Sequence, residues 1–248
     1  MSRNSSYHAL ILRSRSSGES NRDVWLLCPE AGLLRVTVFG GPKSRLRSYA
    51  SPFHSGQAWV YHDPVKNTFK LSDFDVSSWR PGLREMYERA MSADAVAETI
   101  LASHGGGGNW DRALSLAQAA LDALEAADEE TCARIVLWFL WQWTDFLGLR
   151  PEFDACALCG KPSPSRYSIR EGGMVCGSCS AGTAGPAAGL VAGLVEAGPG
   201  CRHWLETTRS INPDQIVRHT LDKKSFREAR SLATAILAEA IGKRLDSW

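Results

Sequence analysis

Four cysteines constrain this chain more than any other feature. They stand as Cys156-Ala157-Leu158-Cys159 and Cys176-Gly177-Ser178-Cys179, a C-x2-C-x16-C-x2-C pattern with the spacing of a structural zinc site. Each C-x-x-C pair can fold into a tight knuckle that aims two thiolates at one ion. Two knuckles then complete a tetrahedral shell that leaves no position for water. Gly160 and Gly177 each follow a cysteine and are expected to let the backbone turn its N–H groups toward the sulfurs. Two disulfides, or a thioredoxin-type use of Cys176 and Cys179, compete with this reading. The N-terminal apolar run Ala9 to Leu12 is too short for a signal peptide, which points to a reducing compartment where disulfides are rare. A redox pair should open a helix after a strand in a βαβ unit, whereas here Gly172-Gly173 precede the pair and a Gly/Ala stretch follows. One structural Zn2+ on Cys156, Cys159, Cys176 and Cys179 is the expectation, with an iron–sulfur cluster as the alternative that four thiolates also allow. Cys28, Cys132 and Cys201 stand outside the pattern, and two of the three, in apolar surroundings, are expected to be small core residues.

The chain has 248 residues, 44% of them hydrophobic, which suffices for one large or two modest domains. No apolar run approaches the length that spans a membrane. The longest, Ile135 to Leu149, is interrupted by Gln142, Thr144 and Asp145 and reads as a helix buried on nearly all sides. A net charge of +1 names no partner, but the charge is unevenly spread. Residues 1–80 carry eleven Lys/Arg against six Asp/Glu, and the remainder carries seventeen against twenty-one. A basic first third suggests a module that faces a polyanion.

Those first eighty residues have the texture of a small β domain. Apolar runs of strand length, at Tyr7–Leu12, Val24–Leu27, Leu33–Phe39, Ala58–Tyr61 and Phe69–Val76, are separated by Gly, Pro, Asn and Asp clusters. Leu34, Val36 and Val38 alternate with Arg35 and Thr37, as a half-buried strand requires. Five such strands fit a small closed barrel of the OB type. At Arg80-Pro81 the period changes. Pro81 suits the first turn of a helix carrying Leu83, Met86, Tyr87, Ala90 and Met91, continued by Ala95, Val96 and Ile100 after a break at Ser92/Asp94. Asn109 and Asp128 are expected to cap the next two helices, the second running through Trp138, Trp141 and Trp143 to Gly148. Residues 181–200 read partly as linker, and Phe226 to Leu245 as a strongly amphipathic helix. The expected architecture is multi-domain α+β: an OB-fold barrel over 1–80, a helical domain over 81–151 and 181–248 forming one bundle, and a four-cysteine zinc finger inserted at 152–180.

Catalytic constellations are missing. The six histidines form no metal-binding helix motif, no G-x-S-x-G is present, and Gly105–Gly108 lacks the Lys-Ser/Thr of a phosphate loop. The chain reads as a binding protein rather than an enzyme. The segment Lys43-Ser44-Arg45-Leu46-Arg47-Ser48-Tyr49, expected in a loop, can reach successive phosphates without reading sequence. Arg13, Arg15 and Arg35 extend the patch, and Tyr49, Phe53 and Trp59 are candidates to stack on bases, although Phe53 and Trp59 read more readily as barrel core. The Trp-rich helix is read as packing, its alternative use being a groove for an apolar peptide. Lys223, Lys224, Arg227 and Arg230 form a basic turn that either faces solvent or receives an acidic tail. A zinc-ribbon adaptor of transcription or RNA metabolism is the main rival class, and a thiol oxidoreductase the next.

The arrangement resembles the RecO family of bacterial recombination-repair mediators, end to end and in three pieces. The pieces are Phe39-Gly40-Gly41-Pro42-Lys43-Ser44-Arg45 with Pro52-Phe53; Gly148-Leu149-Arg150-Pro151 leading into Cys156-Ala157-Leu158-Cys159-Gly160 and Gly172-Gly173-Met174-Val175-Cys176; and Ile241-Gly242-Lys243-Arg244-Leu245-Asp246-Ser247. The resemblance implies an OB-fold, a helical domain with an inserted zinc finger, and a non-enzymatic role in the bacterial cytoplasm at the nucleoid. It further implies binding of single- and double-stranded DNA, strand annealing, and cooperation with RecR in loading RecA onto DNA coated by single-stranded DNA-binding protein. The acidic, apolar C-terminal tail of that coat protein would dock on the helical domain.

Overall fold

The structure is a computed structural model and describes residues 3–41, 44–182 and 193–248. Strands β1 (Asn4–Ser17), β2 (Asn21–Cys28), β3 (Gly32–Val38), β4 (Ser55–Asp63) and β5 (Thr68–Ser78) close into a barrel in the order β1-β2-β3-β5-β4. β4 returns to pair antiparallel with β1, and β3 meets β5 in parallel at Thr37 and Lys70. The expected OB-like barrel is therefore present. Val24, Leu26, Val36, Val38 and Phe74 fill its interior, while the residues between them, such as Trp25 and Arg35, point outward. A short helix, α1 (Arg45–Tyr49), stands between β3 and β4 where the sequence suggested a loop. Serine hydroxyls help to close it: Ser48 donates to the Arg45 carbonyl and Ser51 to the Ser48 carbonyl, both at 2.8 Å, occupying oxygens a helix end leaves unpaired.

β1 is longer than its apolar run suggested, and Ala9, Leu10, Ile11 and Leu12 are all buried. Ala9 and Ile11 belong to the barrel interior. Leu10 and Leu12 are buried outside it, where helix α2 (Tyr87–Ala102) packs against β1. A strand covered on both faces reads as a continuous apolar run. Gly56 marks another close approach, since a Cβ there would stand 1.9 Å from the Asp75 carbonyl oxygen.

The helix expected to begin at Pro81 is divided. Pro81–Arg84 form a 3-10 turn, Met86 is extended, and α2 starts at Tyr87 and continues through Ser92 and Asp94 without a break. Tyr87 is exposed and does not share a buried face with Leu83. The cause of the division lies at Arg80, held in the left-handed region at φ 44°. Its buried guanidinium donates to Asp122 (2.5 Å), to the Phe53 carbonyl (2.7 Å) and to the Ser55 hydroxyl (2.8 Å). These bonds over-determine a backbone conformation that a non-glycine residue adopts at a cost. Gly105–Gly108, all at positive φ, then connect α2 to α3 (Trp110–Leu124), whose first turn is capped by Asn109 accepting from the Arg112 N–H.

The chain forms two compact units, Met1–Cys132 with Ser247–Trp248, and Ala133–Asp246. Helices α2 and α3 thus share the barrel's unit. Helix α4 (Glu129–Phe146) is capped by Asp128, which accepts from the Thr131 N–H at 2.8 Å. Trp138, Phe139, Trp141 and Trp143 are buried, and Phe139 stacks on Trp143, so the Trp-rich segment is packing. In the second unit, three short strands, β6 (Arg166–Ser168), β7 (Gly173–Val175) and β8 (Leu194–Glu196), form an antiparallel sheet in the order β7-β6-β8. Helix α5 (Gly177–Gly182) follows β7; α6 (Pro199–Thr207) and α7 (Lys223–Ile241) complete the unit. α7 ends at Gly242, at φ 75°, so Leu245 lies beyond the helix the sequence pattern assigned it to. Of the Gly/Ala-rich stretch 181–200 read partly as linker, residues 183–192 lie outside the described residues. Cys28, Cys132 and Cys201 are buried, and burial pushes their thiols up to about 12, 11 and 12. Among the described residues no helix is long and apolar enough to cross a membrane.

Candidate functional site

The four quartet cysteines come together, their sulfurs all within 4.8 Å of one another. The first knuckle is closed by the Gly160 N–H donating to the Cys156 carbonyl (2.8 Å) and tied to β7 by the Ala157 N–H donating to the Met174 carbonyl (2.8 Å). Gly160 takes φ 70°, as the turn requires. Gly177 does not: it opens α5 outside the left-handed region, with open space where a Cβ would stand, so a side chain would be accommodated there. The Cys176 N–H donates to the Cys156 sulfur at 3.3 Å. That bond, with N–H groups of Leu158 and Cys159, draws the Cys156 thiol down to about 6. The Cys176 thiol is lowered too, first by the Cys179 N–H. Cys179 is pushed up to about 12 by its sulfur neighbours, Cys159 first. Without a cation, four sulfurs this close cannot all ionise. A divalent ion removes the conflict by holding every thiol deprotonated. The Cys159 and Cys176 sulfurs lie 3.7 Å apart, and a tetrahedron with metal–sulfur bonds of about 2.3 Å has edges of about 3.8 Å. The residues present therefore fit a tetrahedral metal. Cys176-x-x-Cys179 does open a short helix after a strand, as a redox pair would, but in an antiparallel sheet rather than a βαβ unit.

The basic residues named from the sequence occupy two places on the barrel. The first is α1. Its Arg45 Nε donates to the Tyr49 hydroxyl at 2.6 Å and its guanidinium lies 4.8 Å from the Tyr49 ring centre. The Tyr49 ring meets Trp79 edge-on at 5.1 Å, and the Tyr49 carbonyl accepts from His54 Nδ1 at 2.9 Å, which anchors the end of the helix. Arg47 is half-buried on the same helix. Lys43 lies outside the described residues. Between α1 and the β4–β5 pair runs an open cleft of about 510 Å3, lined by Ser44, Arg45, Leu46, Tyr49, Trp59, Asp73, Phe74 and Asp75. Trp59 is 40% exposed there. Phe53, named with it as a stacking candidate, is instead buried at a left-handed φ of 71° and belongs to the core.

The second place is the outer face of β1–β2–β3. There Arg13 pairs in register with Trp25, and Trp25 with Arg35. The Arg35 guanidinium lies 5.4 Å from the Trp25 ring centre and donates to Asp23 at 2.5 Å, a bond that holds the Asp23 carboxyl below its ordinary range. Arg13 faces Asp94 of α2 electrostatically. Trp25 escaped the sequence reading, although its alternation with buried Val24 and Leu26 marks it as outward-facing.

In the second unit, Lys223, Lys224, Arg227 and Arg230 lie on the first turns of α7, and all four are exposed. Lys224 lies 3.8 Å from Glu228, and Arg227 donates to the Lys223 carbonyl. Positive charge at a helix N-terminus opposes the dipole; Asp222, accepting from the Lys224 and Ser225 N–H groups, offsets it. A small pocket of about 40 Å3 in this unit was not foreseen. Trp141 and Phe153 stack at 5.8 Å in its wall, beside Leu205, Arg209 and Arg150. Arg150 pairs with Asp145 at 3.1 Å through Nη2, while its buried Nη1 has no hydrogen-bond partner. The Gly-Leu-Arg-Pro run singled out in the sequence was its only signal.

Comparison with known proteins covers nearly the whole chain. The family profile described as "Recombination protein O N terminal" matches residues 1–78, and "Recombination protein O C terminal" matches residues 84–248. The chain is 31% identical over 244 residues to the "DNA repair protein RecO" of Anaeromyxobacter dehalogenans (strain 2CP-C), covering 95% of this chain and 91% of that protein. It is 30% identical over 175 residues to the protein of the same name from Rubrobacter xylanophilus, covering 68% and 69%. With the one from Bacillus pumilus it shares 28% over 174 residues, covering 68% and 66%.

Proposed function

The chain belongs to the RecO family, and from that premise we propose that it is a non-enzymatic, DNA-binding mediator of recombination and repair acting in the bacterial cytoplasm. It binds single- and double-stranded DNA through Lys43, Arg45, Arg47 and Tyr49, with Arg13 and Arg35 as a second patch. It anneals complementary strands and, with RecR, helps RecA onto DNA coated by single-stranded DNA-binding protein. The observation that carries this reading is the α1 edge of the barrel, where Arg45, Arg47 and Tyr49 share one short helix beside an exposed Trp59. Annealing requires two phosphate chains to approach; cations on one ridge screen their repulsion, and aromatic rings hold bases unpaired until a complement arrives.

One structural Zn2+ on Cys156, Cys159, Cys176 and Cys179 would supply a closed cross-link between two knuckles. For the acidic, apolar tail of the coat protein, the second unit offers two places. The α7 turn of Lys223, Lys224, Arg227 and Arg230 offers charge alone. The pocket at Trp141 and Phe153 adds an apolar wall beside Arg150, but at about 40 Å3 with Trp141 1% exposed it has room for no more than the tip of a side chain.

The test is a strand-annealing assay on bare and protein-coated oligonucleotides, with salt-dependent binding measured in parallel. Annealing is expected on both substrates. Replacing Lys43, Arg45 and Arg47 with alanine should weaken binding and flatten the slope of log K against log salt by about 2 on single strands. An unchanged slope would remove α1 from the DNA path. Sequence-selective binding without annealing would favour a transcription or RNA adaptor.

A further inference from the structure

We propose that the cleft between α1 and the β4–β5 pair is a base-reading subsite that selects bases presenting amino donors, cytosine over thymine. The inference rests on the DNA-binding reading above. Strand register builds one wall. Trp59 pairs with Asp73 and Gln57 with Asp75 across β4 and β5, so these side chains share the outward face while Phe74 points into the core at 1% exposure. Trp59, 40% exposed, offers a ring on which a base can stack. The other wall is α1, where Arg45 is braced on Tyr49 through Nε, a bond that does not use its two Nη groups.

The charge of the cleft decides what fits. Two carboxylates, Asp73 and Asp75, face one guanidinium, Arg45. A run of phosphates would be repelled there, so the cleft suits bases, with Arg45 at its edge for one phosphate. Asp73 is oriented by accepting the Phe74 N–H at 2.9 Å through Oδ1, which leaves Oδ2 to receive a donor. The Asp75 side chain has no hydrogen bond or ion pair among the described residues. Ionised carboxylates only accept. Cytosine brings the N4 amino group as a donor, whereas thymine has the O4 acceptor in its place and keeps only one N3–H, flanked by two carbonyl acceptors. A carboxylate therefore favours the first over the second, whose single donor lies between two repelling carbonyls.

The experiment measures binding of the full chain to fluorescent d(C) and d(T) oligonucleotides of equal length, at one salt concentration and slightly alkaline pH. The wild type should prefer d(C) by about fivefold, the low end for a base contact in an open site. The Asp73→Asn, Asp75→Asn double variant should lose the preference chiefly by binding d(T) more tightly, a gain that an unfolded protein cannot produce. Trp59→Ala should weaken both oligonucleotides together. Equal binding of d(C) and d(T) by wild type and double variant alike would overturn the subsite and leave DNA binding standing; absence of binding to either would overturn both. A lysine-rich peptide that displaces d(C) from the wild type but does not bind the double variant would reassign the cleft to a cationic partner.

Discussion

The cysteine module and the barrel solve the same problem, holding short strands together, by different means. The module's three strands have three residues each, and the buried apolar side chains around them, such as Tyr167, Met174 and Val175, are too few to offset the entropy of ordering the chain. Four sulfurs within 4.8 Å take the place of a core. The barrel has a filled interior and a buried arginine that fastens its last strand to α3. Stability in the module would hang on one bound ion, whereas in the barrel it is distributed over many contacts. A single substitution should therefore be far more costly in the first than in most of the second.

The largest effect tests this directly. Structural zinc supplies about 10–16 kcal/mol of apparent binding energy in small finger peptides. Cys156→Ser should release the metal and abolish hydrogen-exchange protection in β6 and β7, while β1–β5 keep theirs. Metal content and segment-resolved exchange are the measurements. Retained protection in the metal-free variant would mean the module carries its own core. The barrel's nearest counterpart to a single point of failure is Arg80. Arg80→Met keeps the aliphatic stem but strands the Phe53 carbonyl and Ser55 hydroxyl, which is worth about 2–4 kcal/mol for two buried groups left unpaired. Denaturant unfolding of the barrel should register that loss. A loss below about 1 kcal/mol would show that the barrel distributes its stability even here.

The same contrast explains what could be read without a structure. The quartet's cysteines lie in two runs of four residues, so spacing alone foretold that their sulfurs would come together. The barrel too was legible, since Val24, Leu26, Val36 and Val38 alternate as half-buried strands must. The α1 cleft was legible only in part. Arg45 and Tyr49 are local, but Trp59, Asp73 and Asp75 join them through β4–β5 register, which no short window of sequence contains. Phe53, for which core packing was the stronger reading, is buried on a left-handed backbone that no local pattern announces, and the break expected at Ser92/Asp94 failed because tertiary packing outweighs propensity. The division at Pro81 followed from Arg80, whose partners lie 25 to 42 residues away.

The smallest predicted effect sharpens the comparison from the barrel's side. Arg35 and Asp23 join β3 to β2 on the outer face at 2.5 Å. The hydrogen bond from Arg35 lowers the Asp23 carboxyl below its unfolded value, with its charge and Thr37 adding to the effect against a cost of burial. A carboxyl depressed on folding contributes stability above its unfolded pKa of about 3.9 and loses it as pH falls through the lower, folded value. Acidification below about pH 4 should therefore weaken the barrel through Asp23, and Asp23→Asn should flatten that part of the pH–stability curve. Because Arg35 is 63% exposed, solvent screening keeps the effect below about 1 kcal/mol. Melting temperatures of both proteins between about pH 3 and 7 provide the check, after subtracting the change common to both. Identical curves would mean that the pair only positions Arg35 against Trp25. A difference well above about 1 kcal/mol would make this surface pair a second concentrated support, and the barrel would then resemble the module more closely than its filled core suggests.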